Sequence, residues 1–160
     1  MNIFFLDSYP SLAAADHCDR HVVKMILETA QLLSAAHWVL GEDKYNNLYK
    51  LTHRNHPMCV WVRASIHNYM WTKILLKELL NQYTLRYNKI HKTEERGIHL
   101  LNPPLDIPQE GFIPPPLCMP TRYMADNYVN SYRNYYKYKS TVMKMRWYGK
   151  ERPPIWWSMY

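Results

Sequence analysis

The chain is poor in glycine, with four in 160 residues, and short of negative charge, with 13 Asp and Glu against 20 Lys and Arg. It contains no GxGxxG, no P-loop and no GxSxG, which disfavours nucleotide-fold and hydrolase-elbow chemistry. Cysteine is limited to Cys18, Cys59 and Cys118, without CxxC spacing, so reduced thiols are expected rather than a disulfide frame or a zinc ribbon. No apolar run approaches the length of a membrane span, and the start MNIFFLDSYP lacks a basic segment followed by an apolar one. The expectation is a soluble, cytoplasmic protein without a membrane partner. Hydrophobic residues at 48% and charged ones at 21% exclude general disorder. The whole of 1–160 then reads as a single domain with a substantial core.

The charge that is present is positive and concentrated. The net value is +7, which points to an anionic partner. From Thr121 onward stand Arg122, Arg133, Lys137, Lys139, Lys144, Arg146, Lys150 and Arg152, against only Asp126 and Glu151. Tyr123, Tyr128, Tyr132, Tyr135, Tyr136, Tyr138, Trp147, Tyr148, Trp156, Trp157 and Tyr160 are interleaved with them. Cations that neutralise phosphates, alternating with rings that stack on bases, make a nucleic-acid surface. The structural alternative is a tyrosine-rich helix with its rings in the core and a solvated basic face.

The pattern predicts an all-α protein: three main helices, a long proline-rich crossover and a basic aromatic C-terminal tail. Asn2 to Leu6 reads as a strand or an extended arm. Ser8 as cap with Pro10 in the first turn opens a helix running through Trp38 to a stop at Gly41. His56-Pro57 opens a second, reaching about Arg86 with a break near Ser65. Residues 102–120 carry Pro103, Pro104, Pro108, Pro114, Pro115, Pro116 and Pro120 with Gly111 alone, and this excludes regular helix. A third helix is expected from about Ala125 to Met145, followed by an irregular tail docked through its tryptophans.

Chemistry concentrates in the first helix. His17, His21, Lys24 and Glu28, at offsets 0, 4, 7 and 11, fall within an arc of roughly 60° on a continuous helix. Two imidazoles, an amine and a carboxylate on one stripe suit acid–base or nucleophilic catalysis, although an amphipathic helix also needs a polar face. A metal reading would use His17, His21 and Glu28, but there is no HExxH and no second ligand cluster. No cofactor is expected. Lys24 is a candidate nucleophile and Glu28 a proton carrier. His56 and Arg63 are secondary candidates, whereas Cys18 reads as a buried thiol.

Ala14-Ala15-Asp16-His17 with a downstream glutamate, Asn55-His56-Pro57 opening a helix that closes toward Arg86-Tyr87, and the tail Trp147-Tyr148-Gly149-Lys150 form a layout spanning most of the chain. It resembles the endonuclease V-type pyrimidine-dimer DNA glycosylases of tailed phages and their bacterial relatives. The resemblance implies a glycosylase with abasic-site lyase activity, phage-encoded in style and acting in the host cytoplasm as a monomer. An N-terminal amine would attack the sugar C1′ to form an imine, Glu28 would assist, and His17 would match the family's first-helix histidine. The family exposes a small residue at position 2 after loss of Met, whereas Asn2 disfavours that trimming. This leaves the amine of Met1, that of Lys24, or a different chemistry on DNA. An α-amine ordinarily titrates near about 8 and a lysine near about 10.4, so the amine of Met1 is the expected nucleophile. The expected DNA-binding residues are His56, Arg63, Arg122, Arg133, Lys137, Lys139, Arg146, Trp147, Tyr148 and Lys150. The competing reading is a non-catalytic nucleic-acid or protein-binding module.

Overall fold

The computed structural model describes residues 1–41, 45–147 and 153–158; Tyr148, Lys150 and Arg152 lie outside them. The described residues are all-α, with no strand: α1 (Pro10–Asp16), α2 (Asp19–Val39), α3 (Pro57–Arg63), α4 (Ile66–Tyr87) and α5 (Tyr128–Val142). Short 3-10 turns at Glu94–Arg96, Ile98–Leu100, Thr121–Tyr123 and Ile155–Trp157 punctuate the connections. No described helix is long and apolar enough to cross a membrane.

Two of the three expected helices are each divided. The first does not run from Ser8 to Trp38. Its cap is Tyr9, which makes no side-chain capping bond, with Pro10 in the first turn. The chain then leaves helical geometry at His17 and Cys18, where ψ is 136° and 161°. Partners distant in sequence stabilise that break. Arg86 donates to the carbonyls of Ala15 (3.0 Å) and His17 (2.7 Å), the Cys18 amide donates to the Tyr136 hydroxyl (2.9 Å), and the Asp19 amide donates to the Arg146 carbonyl (2.8 Å). Groups freed at a helix end need such partners when they are buried.

The second helix opens where the sequence indicates. His56 Nδ1 accepts from the Met58 amide at 3.1 Å, and Pro57 occupies the first turn. It divides at Ala64-Ser65, where Ser65 Oγ accepts from the His67 amide and donates toward the carbonyls of Glu110 and Gly111. α4 ends on Asn88 in the left-handed region, at φ 49°.

Residues 2–6 form an extended arm rather than a strand, and Ile3, Phe5 and Leu6 are fully buried. Phe5 stacks on Trp71 at 4.4 Å and meets Trp61 and Tyr132 at 5.2 and 5.3 Å. The arm therefore joins α3, α4 and α5 into one core, in which Tyr132 and Tyr136 are wholly buried. The proline-rich crossover is free of helix from Leu101 to Pro120 and is held by side chains of α3 and α4. Trp61 Nε1 donates to the Ile113 carbonyl (2.7 Å), and the Ile113 amide donates to Asn68 Oδ1 (2.9 Å). In the tail, Trp147 and Trp156 are buried and both donate to Asp16, to its carbonyl at 3.0 Å and to its carboxylate at 2.6 Å.

Candidate functional site

The break before α2 removes His17 from the expected stripe, leaving it at the joint. His21, Lys24 and Glu28 remain on α2: His21 and Lys24 line one cleft, and Lys24 and Glu28 line another. The four-residue stripe presumed a continuous helix from His17, and the bonds from Arg86, Tyr136 and the Arg146 carbonyl stabilise a different backbone path there.

Glu28 faces the N-terminal arm. Its Oε2 accepts from the Asn2 amide at 3.1 Å, and its Oε1 lies 3.3 Å from Lys24 Nζ. Each carboxylate oxygen therefore has a cationic or amide neighbour. The arm is fixed at this point by Asn2, whose Nδ2 donates to the Cys118 carbonyl at 3.1 Å and whose Oδ1 accepts from the Ile3 amide at 2.9 Å. Asn2 is thus a clip between arm and crossover, a role invisible without the fold.

His56 belongs to the same neighbourhood. Burial, the positive charge at the amine of Met1 and nearby His53 lower its pKa, with Glu28 opposing. Because Nδ1 accepts from the Met58 amide, the neutral ring carries its proton on Nε2. His53 adopts φ 52°, a left-handed conformation uncommon for a residue with a side chain, in the turn that leads to His56. The Met1 end, Glu28, Lys24 and His56 are therefore brought together from the arm, α2 and the start of α3. Beside them opens a cleft of about 610 Å³ lined by Lys24, Glu28, Gln31, Tyr49, His91 and Arg96. Arg96 covers the Tyr49 ring at 4.2 Å.

His17 and His21 sit against the rings of Phe4 and Tyr136. His17 is fully buried with Nδ1 2.6 Å from the Ala13 carbonyl. His21 stacks on Phe4 at 4.9 Å and lies 5.0 Å from the Tyr136 ring. Burial, followed by His17 and the cations Lys24, Lys139 and Arg20, lowers its pKa to about 3, so its ring is neutral near pH 7. Among the described residues no three His, Cys, Asp or Glu side chains are grouped to hold a metal ion, so His17, His21 and Glu28 do not form the ligand set considered from sequence.

The C-terminal cations divide similarly. Tyr123, in the turn before α5, and Tyr135 and Tyr138 of α5 form a three-ring cluster, with centroids 5.0 Å apart for Tyr123 and Tyr138, 5.4 Å for Tyr123 and Tyr135 and 6.2 Å for Tyr135 and Tyr138. Arg122 covers Tyr123 at 4.9 Å and Tyr138 at 5.6 Å, and Lys139 covers Tyr135 at 4.6 Å. Arg133 instead ties α5 to the arm, donating to the Leu6 carbonyl (2.7 Å) and pairing with Asp7 (3.3 Å). Lys137 lines a cleft of about 500 Å³ beside Asp126, Arg133 and Trp156. Arg63 donates to the Arg54 carbonyl at 2.8 Å. Arg146 contributes its carbonyl to the start of α2, and Trp147 lies in the core against Trp157 at 5.0 Å. Tyr148 and Lys150 lie outside the described residues.

His53 carries no signal in the sequence, and the roles of Arg86, Asn2 and Tyr136 differ from those the sequence suggests, since each acts through a contact made only on folding. No family model matches the chain, and no curated protein and no solved structure matches it either.

Proposed function

We propose that the chain is a DNA-binding enzyme that removes damaged or modified bases, a glycosylase with abasic-site lyase activity, and that the amine of Met1 is its nucleophile. The observation that carries this reading is the bond from the Asn2 amide to Glu28, which sets a carboxylate beside the first residue. A carboxylate so placed is suited to take a proton from an attacking amine and to return it to a departing group. In the reaction the amine nitrogen bonds to C1′, the C1′–base bond breaks, and the base leaves with the electron pair and gains a proton. Loss of the remaining amine proton with opening of the sugar gives the imine, and β-elimination then expels the 3′ phosphate. Lys24, paired with Glu28, serves as a charge partner and a phosphate contact rather than as the nucleophile. The cations and clustered tyrosines of α5 and the turn before it supply affinity for the strand.

Borohydride reduction in the presence of abasic-site DNA tests this directly. The expected result is a covalent protein–DNA adduct that maps to the Met1 amine, survives Lys24→Ala and is abolished by acetylating the α-amine. An adduct on Lys24 would move the chemistry to α2. Binding with no adduct at all would leave a non-catalytic DNA module.

A further inference from the structure

A second cleft, of about 420 Å³, opens between α2 and the C-terminal end of α5 and shares Lys24 with the one beside Glu28. Arg20, Lys24 and Lys139 line it, together with His21 and Phe4, and no carboxylate is among the described residues that do so. The three cations are close enough to His21 that each depresses protonation of its ring. His21 itself is only 5% exposed, and its buried Nδ1 has no hydrogen-bond partner among the described residues. Stacking on Phe4 accounts for the burial of the ring but not for an unmatched nitrogen, which is unfavourable when left so.

We propose that this cleft binds a phosphate group, borne by a DNA strand or by a free nucleotide, with Arg20, Lys24 and Lys139 supplying charge and His21 a hydrogen bond. Three converging cations exceed what a single carboxylate would balance, and they suit the delocalised charge of a phosphate. A neutral imidazole adds a directional donor without adding a further desolvated charge. Met143 and Val142 give the cleft an apolar edge on which a sugar can rest. Because Lys24 also contacts Glu28, a strand phosphate held here would lie next to the proposed reacting centre. Only that placement rests on the glycosylase reading; the anion site is independent of it.

The test follows the His21 ring resonances by NMR in the wild-type protein during titration with inorganic phosphate, a deoxynucleoside 5′-monophosphate and a short duplex in turn. The expected result is a saturable shift with all three. Arg20→Gln and Lys139→Gln should each weaken duplex binding about tenfold and lower the log–log salt slope by about one, with Lys139→Arg restoring both. Shifts with phosphate and the monophosphate but not the duplex would support the site and assign it to a free nucleotide. Unmoved His21 resonances with every probe, or a shift with the duplex accompanied by salt slopes unaltered in both Gln variants, would overturn the proposal. Failure of imine trapping would remove the glycosylase reading and leave these titrations unaffected.

Discussion

The guanidinium of Arg86 lies 3.0 Å from the carboxylate of Asp19, and their side chains are 1% and 11% exposed. The same guanidinium donates to the carbonyls of Ala15 and His17 and to the Gln82 side chain. One residue near the end of α4 thus satisfies the end of α1 and holds the first residue of α2. Arg86→Ala is expected to cost about 3–5 kcal/mol, because it strands a mostly buried carboxylate and two carbonyls. Arg86→Lys should remain clearly destabilised, since an ammonium cannot reproduce the planar fork. Chemical denaturation of the two variants beside the wild type measures both effects.

Glu28→Gln should keep the fold, because the amide retains an oxygen for the Asn2 amide and the side chain lies at the edge of a cleft. Proton transfer is lost, so cleavage of abasic-site DNA should fall by about 10² or more while DNA affinity holds. Single-turnover kinetics alongside a binding titration separate the two. Unchanged cleavage would remove Glu28 from the reaction.

Stability should depend on pH through His21. Its pKa is about 3 in the folded protein against an ordinary 6.5, so between these values the unfolded chain binds the extra proton. Stability is therefore fully present above about pH 6.5 and declines as pH falls toward 3, by up to about 1.4 kcal/mol per pH unit from this residue. His21→Phe, with its ring still beside Phe4, should flatten that part of the curve. Urea midpoints measured from pH 7 down to 4 give the slope for each protein.

Trp156 anchors the described end of the tail through its bond to the Asp16 carboxylate and through Arg133, which covers its ring at 5.0 Å. Trp156→Ala should cost about 3–5 kcal/mol, as a buried indole is replaced by a cavity. Trp156→Phe, which keeps most of the ring but loses the N–H, should cost about 1 kcal/mol. Thermal unfolding of the pair distinguishes packing from hydrogen bonding.

Local chemistry was the legible part of this sequence. His56-Pro57 marks a helix start because cap and proline act within one turn, and the proline run excludes helix through the backbone alone. Asn127 caps α5 through the Asn130 amide, within a few residues of the expected start. The expected stripe loses His17 because periodicity presumes an unbroken backbone, and nothing near His17 and Cys18 announces a break. The bonds that stabilise it come from Arg86, Tyr136 and Arg146, at least 69 positions beyond His17. Glu28 and the start of the chain were both considered from sequence, but their meeting depends on the path of the arm. The sequence offers Trp147 both as a DNA contact and as part of a tail docked through its tryptophans; its burial agrees with the second, and the partner, Asp16, lies on the far side of the sequence.

The buried arm also sets an order of events during synthesis. Ile3 to Leu6 leave the ribosome well before the residues that enclose them: Asn2 bonds across 116 positions to Cys118, and Leu6 across 127 to Arg133. Contacts of such long range form late and slow the final steps of folding. Until the tyrosines of α5 emerge, Phe4 and Phe5 lack much of their native cover, so a nascent chain stalled before Tyr132 exposes an aromatic segment. Such a segment is a natural point of engagement for chaperones. Completion of the Glu28 neighbourhood is thereby tied to translation of α5, more than 100 residues after Asn2.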